Sequence, residues 1–300
     1  MAKKTLFGYV ACLFAVMIWG TTFTATKQLL NALPPTEILL FRLILAYGAL
    51  WAMAPRVLKW QGLRQEACYA LSGALGLTIY PYIEALALDL TTATSMVPVI
   101  VCTSPLITAL LSRLFLHGKR LTLGYWIGFG LAMVGVILTF TRGDYASLRG
   151  SLPVAGLAFL CALTWATYTL FTQSNGPKSD TNALTATRRT FLWGALFTLP
   201  LCWLDSKGFT LAPLANWANV GRLLFLGIMA SALCYAAWTL SVERLGGVRA
   251  TLFLYLIPVI GVITPTLVLN EPITAYILFG TAATLSGVII SSLAMRGRAA

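Results

Sequence analysis

"AVMIWGTTFTAT" at 15–26 and "CALTWATYTLFT" at 161–172 stand 146 residues apart, an offset that superposes Trp19 on Trp165. The same offset lays Arg42 on Arg188 and the "GAL" of 48–50 on the "GAL" of 194–196. Further on it drifts to 152–154, where Pro105 meets Pro258, Thr122 meets Thr274, Gly128 meets Gly280 and Gly135 meets Gly287. One such match is chance; an ordered series marks an internal duplication.

Composition says what was duplicated. Of 300 residues, 58% are hydrophobic and 10% charged, whereas a soluble domain carries about a quarter charged residues. A soluble core of this size cannot hide that much apolar surface, so the chain is expected in a membrane. A helix needs ~20 apolar residues to cross the hydrocarbon core. Segments 6–26, 36–54, 67–88, 92–115, 122–140, 152–172, 184–204, 220–242, 249–269 and 273–294 qualify, separated by breaks rich in Pro, Gly and charge such as "NALPPTE", "QSNGPKSD" and "LNEPIT". Lys3 and Lys4 before an apolar run could open a signal peptide, but the run ends in no convincing small-residue cleavage site and the repeat needs it as a first span.

Each half then holds five spans. An odd number of crossings forces the second copy to sit upside down. The expected fold is an all-α membrane protein of ten transmembrane helices in two inverted five-helix repeats, 1–145 and 146–300. With the N-terminus inside, only Lys27, Arg42, Arg142, Arg149, Lys207 and Arg222 of the 21 basic residues fall on the outer side. By the positive-inside rule both termini are cytoplasmic. The net charge of +12 is then topology, not nucleic-acid binding. Inverted repeats with a site between the halves are the pattern of secondary transporters.

Other chemistries lack their residues. Six cysteines without a Cys-x-x-Cys pair suggest neither a disulfide framework nor a zinc site, and His117 is the single histidine. No nucleophile–base set, phosphate loop or cofactor motif is present, so no enzyme, metal or cofactor is expected.

A central Trp in the first span of each half, an Arg early in the second, a Pro in the fourth and a glycine-rich fifth ("GYWIGFGLAMVGVIL", "LFGTAATLSGVII") resemble the EamA family of the drug/metabolite transporter superfamily. "LNEPIT" at 269–274 is similar to that family's acidic turn between the fourth and fifth spans, while the first half has Lys119 at the matching place. "YIEALAL" and "SALCYAAW" look most like the YddG-type amino acid exporters. The resemblance implies export of amino acids, possibly aromatic, or related small metabolites across the cell inner membrane by alternating access. Broad drug export, nucleotide-sugar carriage and lipid-linked flipping belong to the same superfamily. Partners are then a small-molecule substrate and the lipid bilayer, with the chain a monomer or a homodimer.

Candidate site residues follow from spacing. Trp19, Thr22, Phe23 and Thr26 share one helical face, as do Trp165, Tyr168, Thr169 and Thr172; each face either lines a pocket or packs. Tyr80 and Glu84, with Ser231, Tyr235, Trp238 and Thr239, bring phenol, indole and carboxylate groups that need partners or water. Pro105 and Pro258 are either hinges or static kinks. Gly124 and Gly128 allow close helix contact, within the chain or across a dimer seam. Glu84, read as the one carboxylate well inside a span, lies roughly 7–8 Å below the outer edge marked by Asp89, and Arg42 roughly 9 Å deep. Three readings stay open for Glu84: snorkelling to water, an ion pair with Arg42 that is structural or gating, or direct contact with substrate or proton.

Overall fold

The structure is a computed structural model that describes residues 2–116, 120–141, 148–175, 183–204, 211–245, 250 and 253–296. His117, Lys119, Arg142, Lys178, Lys207, Arg249 and Arg298 lie outside the described residues. Every regular element among those described is helical. The long ones are α1 (Ala2–Leu30), α2 (Pro35–Met53), α3 (Leu63–Leu90), α4 (Met96–Phe115), α5 (Leu123–Thr141), α6 (Leu148–Asn175), α7 (Ala183–Leu204), α8 (Trp217–Leu245), α9 (Leu254–Leu269) and α10 (Ala275–Arg296).

Eight of these are long and apolar enough to cross a membrane. The two others are α7, where Arg188 and Arg189 dilute the apolar run, and α9, whose described part is short. Several helices outrun the apolar stretches that announce them: α1 continues to Leu30, and α3 begins at Leu63. On α1, Leu6, Val10, Leu13 and Met17 form an exposed apolar stripe at helical spacing, while Ala11, Cys12, Ala15 and Val16 are buried. A helix apolar on both faces in this way has lipid on one side and protein on the other.

Small residues set the tightest seam. A Cβ on Gly128 would strike the Gly287 carbonyl, one on Gly135 the backbone of Thr284, and one on Gly287 the backbone of Ala132. α5 and α10 therefore approach backbone to backbone, so the Gly124-x-x-x-Gly128 stretch is used within the chain. Ser291 Oγ donates to Tyr125 O at 2.8 Å across the same seam.

The remaining large interfaces pair up. α1 packs on α8 and α9 as α6 packs on α3 and α4, and α2 packs on α7 and α8 as α7 packs on α2 and α3. α3 and α8, partners under this exchange, each contain a π-wound stretch, Gly73–Ile79 and Phe225–Leu233. Such stretches are rare and concentrate at functional sites. Glycine permits both contacts: a Cβ on Gly73 would lie 2.8 Å from the Gly194 nitrogen of α7, and one on Gly227 only 2.5 Å from Leu45 Cβ of α2.

Pro105 and Pro258 sit in the first turns of the helical stretches Ser104–Phe115 and Ile257–Leu269. α4 is broken just before, at Cys102 and Thr103, and a 3-10 turn (Leu254–Leu256) precedes Pro258. In a first turn the missing proline N–H costs nothing. Each proline therefore starts a helix after a break instead of bending an unbroken one.

Candidate functional site

Six aromatic side chains gather where α1, α3, α6 and α8 meet. Trp19 lies 5.6 Å from Tyr235, edge-on, and 5.6 Å from Trp238. Trp165 lies 5.0 Å from Tyr80 and 5.3 Å from Tyr168. Tyr235 is within electrostatic reach of Tyr168, Glu84 and Arg42, so the two groups stand near each other. All six aromatics are only partly buried although they sit mid-helix among neighbouring helices. Their open faces border a cleft, although Tyr235 and Trp238 also pack against core residues.

The π-wound part of α8 holds the polar groups of this cleft in place. Its Ala230 carbonyl accepts the Trp19 indole N–H at 2.9 Å. Its Ser231 hydroxyl donates to Leu226 O at 2.8 Å, five residues back. With that proton committed, the Ser231 oxygen accepts Arg42 Nε at 2.8 Å. On α3, Glu84 is buried and hydrogen-bonded to the Tyr80 side chain one turn earlier. Arg42 and Glu84 are within electrostatic reach of each other but not in ion-pair contact.

The two helical faces that spacing left open between pocket and packing are used for both. Phe23 is buried in a core with Leu88, Val97 and Ile100, and the Thr22, Thr169 and Thr172 hydroxyls bond back to their own helices. Spacing also missed residues that back the site from within the core. Phe191, from α7, stands edge-on to Tyr235 at 5.3 Å. Gly76 makes room for Tyr168, whose ring a Cβ there would meet at 2.7 Å. Glu84 is not alone among buried acids: Glu37 and Glu66 are buried too, Glu66 accepting Arg189 Nε and the Trp193 indole N–H, both at 2.6 Å.

A cavity of ≈ 520 Å³ opens between the start of α7 and the end of α8, lined by Leu184, Thr239, Leu240 and Glu243 among others and by none of the six aromatics. At the opposite helix ends two side chains tie neighbouring helices together. Lys27 Nζ donates to Leu88 O and Thr91 O, both at 2.7 Å, where α3 ends. Glu271 Oε1 accepts the Thr94 N–H at 2.9 Å just before α4 begins. Among the described residues, no cluster of His, Cys, Asp or Glu could hold a metal ion.

The model of the EamA-like transporter family matches the chain twice, at residues 6–141 and 152–293. The chain belongs to the EamA-like transporter family. Its family members are named as transporters and efflux pumps, not enzymes, and the chain is a multi-pass membrane protein. An "Uncharacterized transporter" of Archaeoglobus fulgidus is 26% identical over 94% of this chain and 97% of its own. A "Probable terminal-alkyne amino-acid exporter" of Streptantibioticus cattleyicolor is 26% identical over 96% and 94%. A "Probable amino-acid metabolite efflux pump" of Escherichia coli is 23% identical over 97% and 96%. One crystal structure, 19% identical, shares the fold with a TM-score of 0.66 over 97% of this chain and 98% of that one. In this EamA-like chain the first matched stretch contributes α1 and α3 to the cleft and the second α6 and α8, with α1 packed on α8 and α3 on α6.

Proposed function

We propose that the chain is a secondary transporter of the cell inner membrane that exports amino acids or related amphipathic metabolites by alternating access. The observation that carries this reading is the aromatic cleft with one guanidinium and one carboxylate at its wall. Aromatic faces suit an apolar or aromatic substrate body and attract an ammonium group by about 0.5–2 kcal/mol. Two relatives bear names of amino-acid exporters, and a substrate of that class fits these groups.

The geometry required is two inverted five-helix repeats, 1–145 and 146–300, with ten spans and both termini cytoplasmic. The twofold family match, the exchange-related helix contacts and the matched π-wound stretches support it. In that orientation Lys27 and Glu271 tie the outer end and the cavity between α7 and α8 faces the cytoplasm. Rocking of one repeat on the other, with breaks before Pro105 and Pro258 as pivots, would then expose the cleft outward.

Glu84 is the group to test, as gate, ammonium contact or proton carrier. Glu84→Gln, reconstituted in liposomes with and without a pH gradient, is expected to slow export about tenfold, the loss of ~1.4 kcal/mol, and to flatten its pH dependence. Full flux with unchanged pH dependence at equal protein abundance would remove Glu84 from all three roles.

A further inference from the structure

Arg42 and Glu84 face one cleft with opposite charges, yet each is held by a neutral partner and not by the other. In a low-dielectric interior an ion pair is the ordinary resolution for two such groups. Here Ser231, fixed by its bond to Leu226 O, takes only the Nε of Arg42. Among the described residues the two terminal nitrogens of Arg42 have no acceptor, and neither is sealed from solvent. Glu84 is held back on its own helix by Tyr80. The site thus presents a forked donor and an acceptor, a little apart, in aromatic walls.

Resting on the reading of the cleft as the substrate site, we propose that Arg42 and Glu84 are two poles of a receptor for a zwitterion. Arg42 takes the carboxylate through its terminal nitrogens, Glu84 takes the ammonium, and Trp19, Tyr80, Trp165 and Tyr235 enclose the side chain. Arg188 supplies the contrast. It occupies the position matching Arg42, but its terminal nitrogens donate to Ala54 O at 2.5 Å and to Arg56 O. Both its terminal nitrogens are engaged by backbone and the residue is buried, so Arg42 is the arginine open to a ligand.

The selectivity follows from charge. A zwitterion leaves both poles neutralised. An amine leaves Arg42 unanswered and a carboxylic acid leaves Glu84 unanswered. A charge-assisted hydrogen bond contributes ~1.5–3 kcal/mol, so losing one costs roughly ten- to a hundredfold in affinity.

The test is counterflow of labelled phenylalanine, and of leucine as a second series, in proteoliposomes of the full chain. Competitors are the parent amino acid, the amine lacking the carboxylate (phenethylamine) and the acid lacking the amine (3-phenylpropanoate). The wild type is expected to prefer the zwitterion at least ~10-fold over either analogue. In Arg42→Gln the preference over phenethylamine collapses while that over 3-phenylpropanoate survives, and Glu84→Gln gives the reverse. Ser231→Ala, which frees Arg42 without removing its charge, repeats the Arg42 pattern more weakly and serves if Arg42→Gln does not fold. A singly charged analogue competing as well as the zwitterion, or both variants weakening every competitor alike, overturns the proposal and leaves the cleft as substrate site. No exchange of either amino acid by folded wild-type protein overturns both.

Discussion

Arg42 and Arg188 hold matching places in the two halves, and their surroundings could hardly differ more. Arg188 is buried, caps the chain leaving α2 through Ala54 O and Arg56 O, and lies 4.2 Å over the Trp51 ring. Arg42 is partly buried on a serine, its terminal nitrogens open. A charge placed in an apolar span is costly twice over once the span is duplicated, and each copy must find its own relief. One copy found backbone carbonyls and became structural. The other bonds a serine through Nε alone, the opening on which the zwitterion proposal rests. The helix scaffold repeats, then, while its chemistry is divided between the halves.

The largest effects are expected where the halves are still equal. Gly135→Val and Gly280→Val each drive a side chain into the α5–α10 backbone seam, an overpacking of ~1–3 kcal/mol or more. Both should abolish monodisperse protein on size exclusion to a similar degree. A strong effect at one glycine and none at the other would break the equality of the seam.

Next come the arginines. Arg188→Gln removes charged hydrogen bonds from the Ala54 and Arg56 carbonyls, a loss of ~1.5–3 kcal/mol, and should lower the thermal midpoint of purified protein clearly. Arg42→Gln should leave that midpoint nearly unchanged. Equal losses would mean that Arg42 is structural as well.

The smallest effect belongs to the tie at Lys27. Lys27→Met withdraws a cation from the C-terminus of α3, worth ~0.3–1 kcal/mol. A cysteine at Thr94 should then react about 2–5 times faster with a membrane-impermeant maleimide applied outside. An unchanged rate would show that Lys27 does not hold that end closed.

Much of this was legible in the sequence. The apolar runs, the offset of 146 and the paired Trp19 and Trp165 point to helices and to a site between halves, because hydropathy and spacing are local properties. The Gly124 stretch pointed to close packing for the same reason. What stayed hidden depended on winding and rotation. A π-wound stretch has the composition of any apolar helix, so nothing in "FLGIMASAL" announces that Ser231 and Ala230 turn toward Arg42 and Trp19. Spacing placed Phe23 with Trp19, but a helix face is wide enough for one to enter the cleft and the other the core. Phe191 was invisible because its contact comes from α7, far along the chain. Arg188 looked like a twin of Arg42 because a repeat preserves position and says nothing of partner.

The most direct test of this division compares flux per folded molecule in Arg42→Gln and Arg188→Gln, measured as phenylalanine exchange in proteoliposomes after size-exclusion recovery of folded protein. The account predicts a loss of at least ~10-fold for Arg42→Gln and nearly wild-type flux for the Arg188→Gln molecules that fold. Wild-type flux in Arg42→Gln, or an equal loss in both, would contradict it.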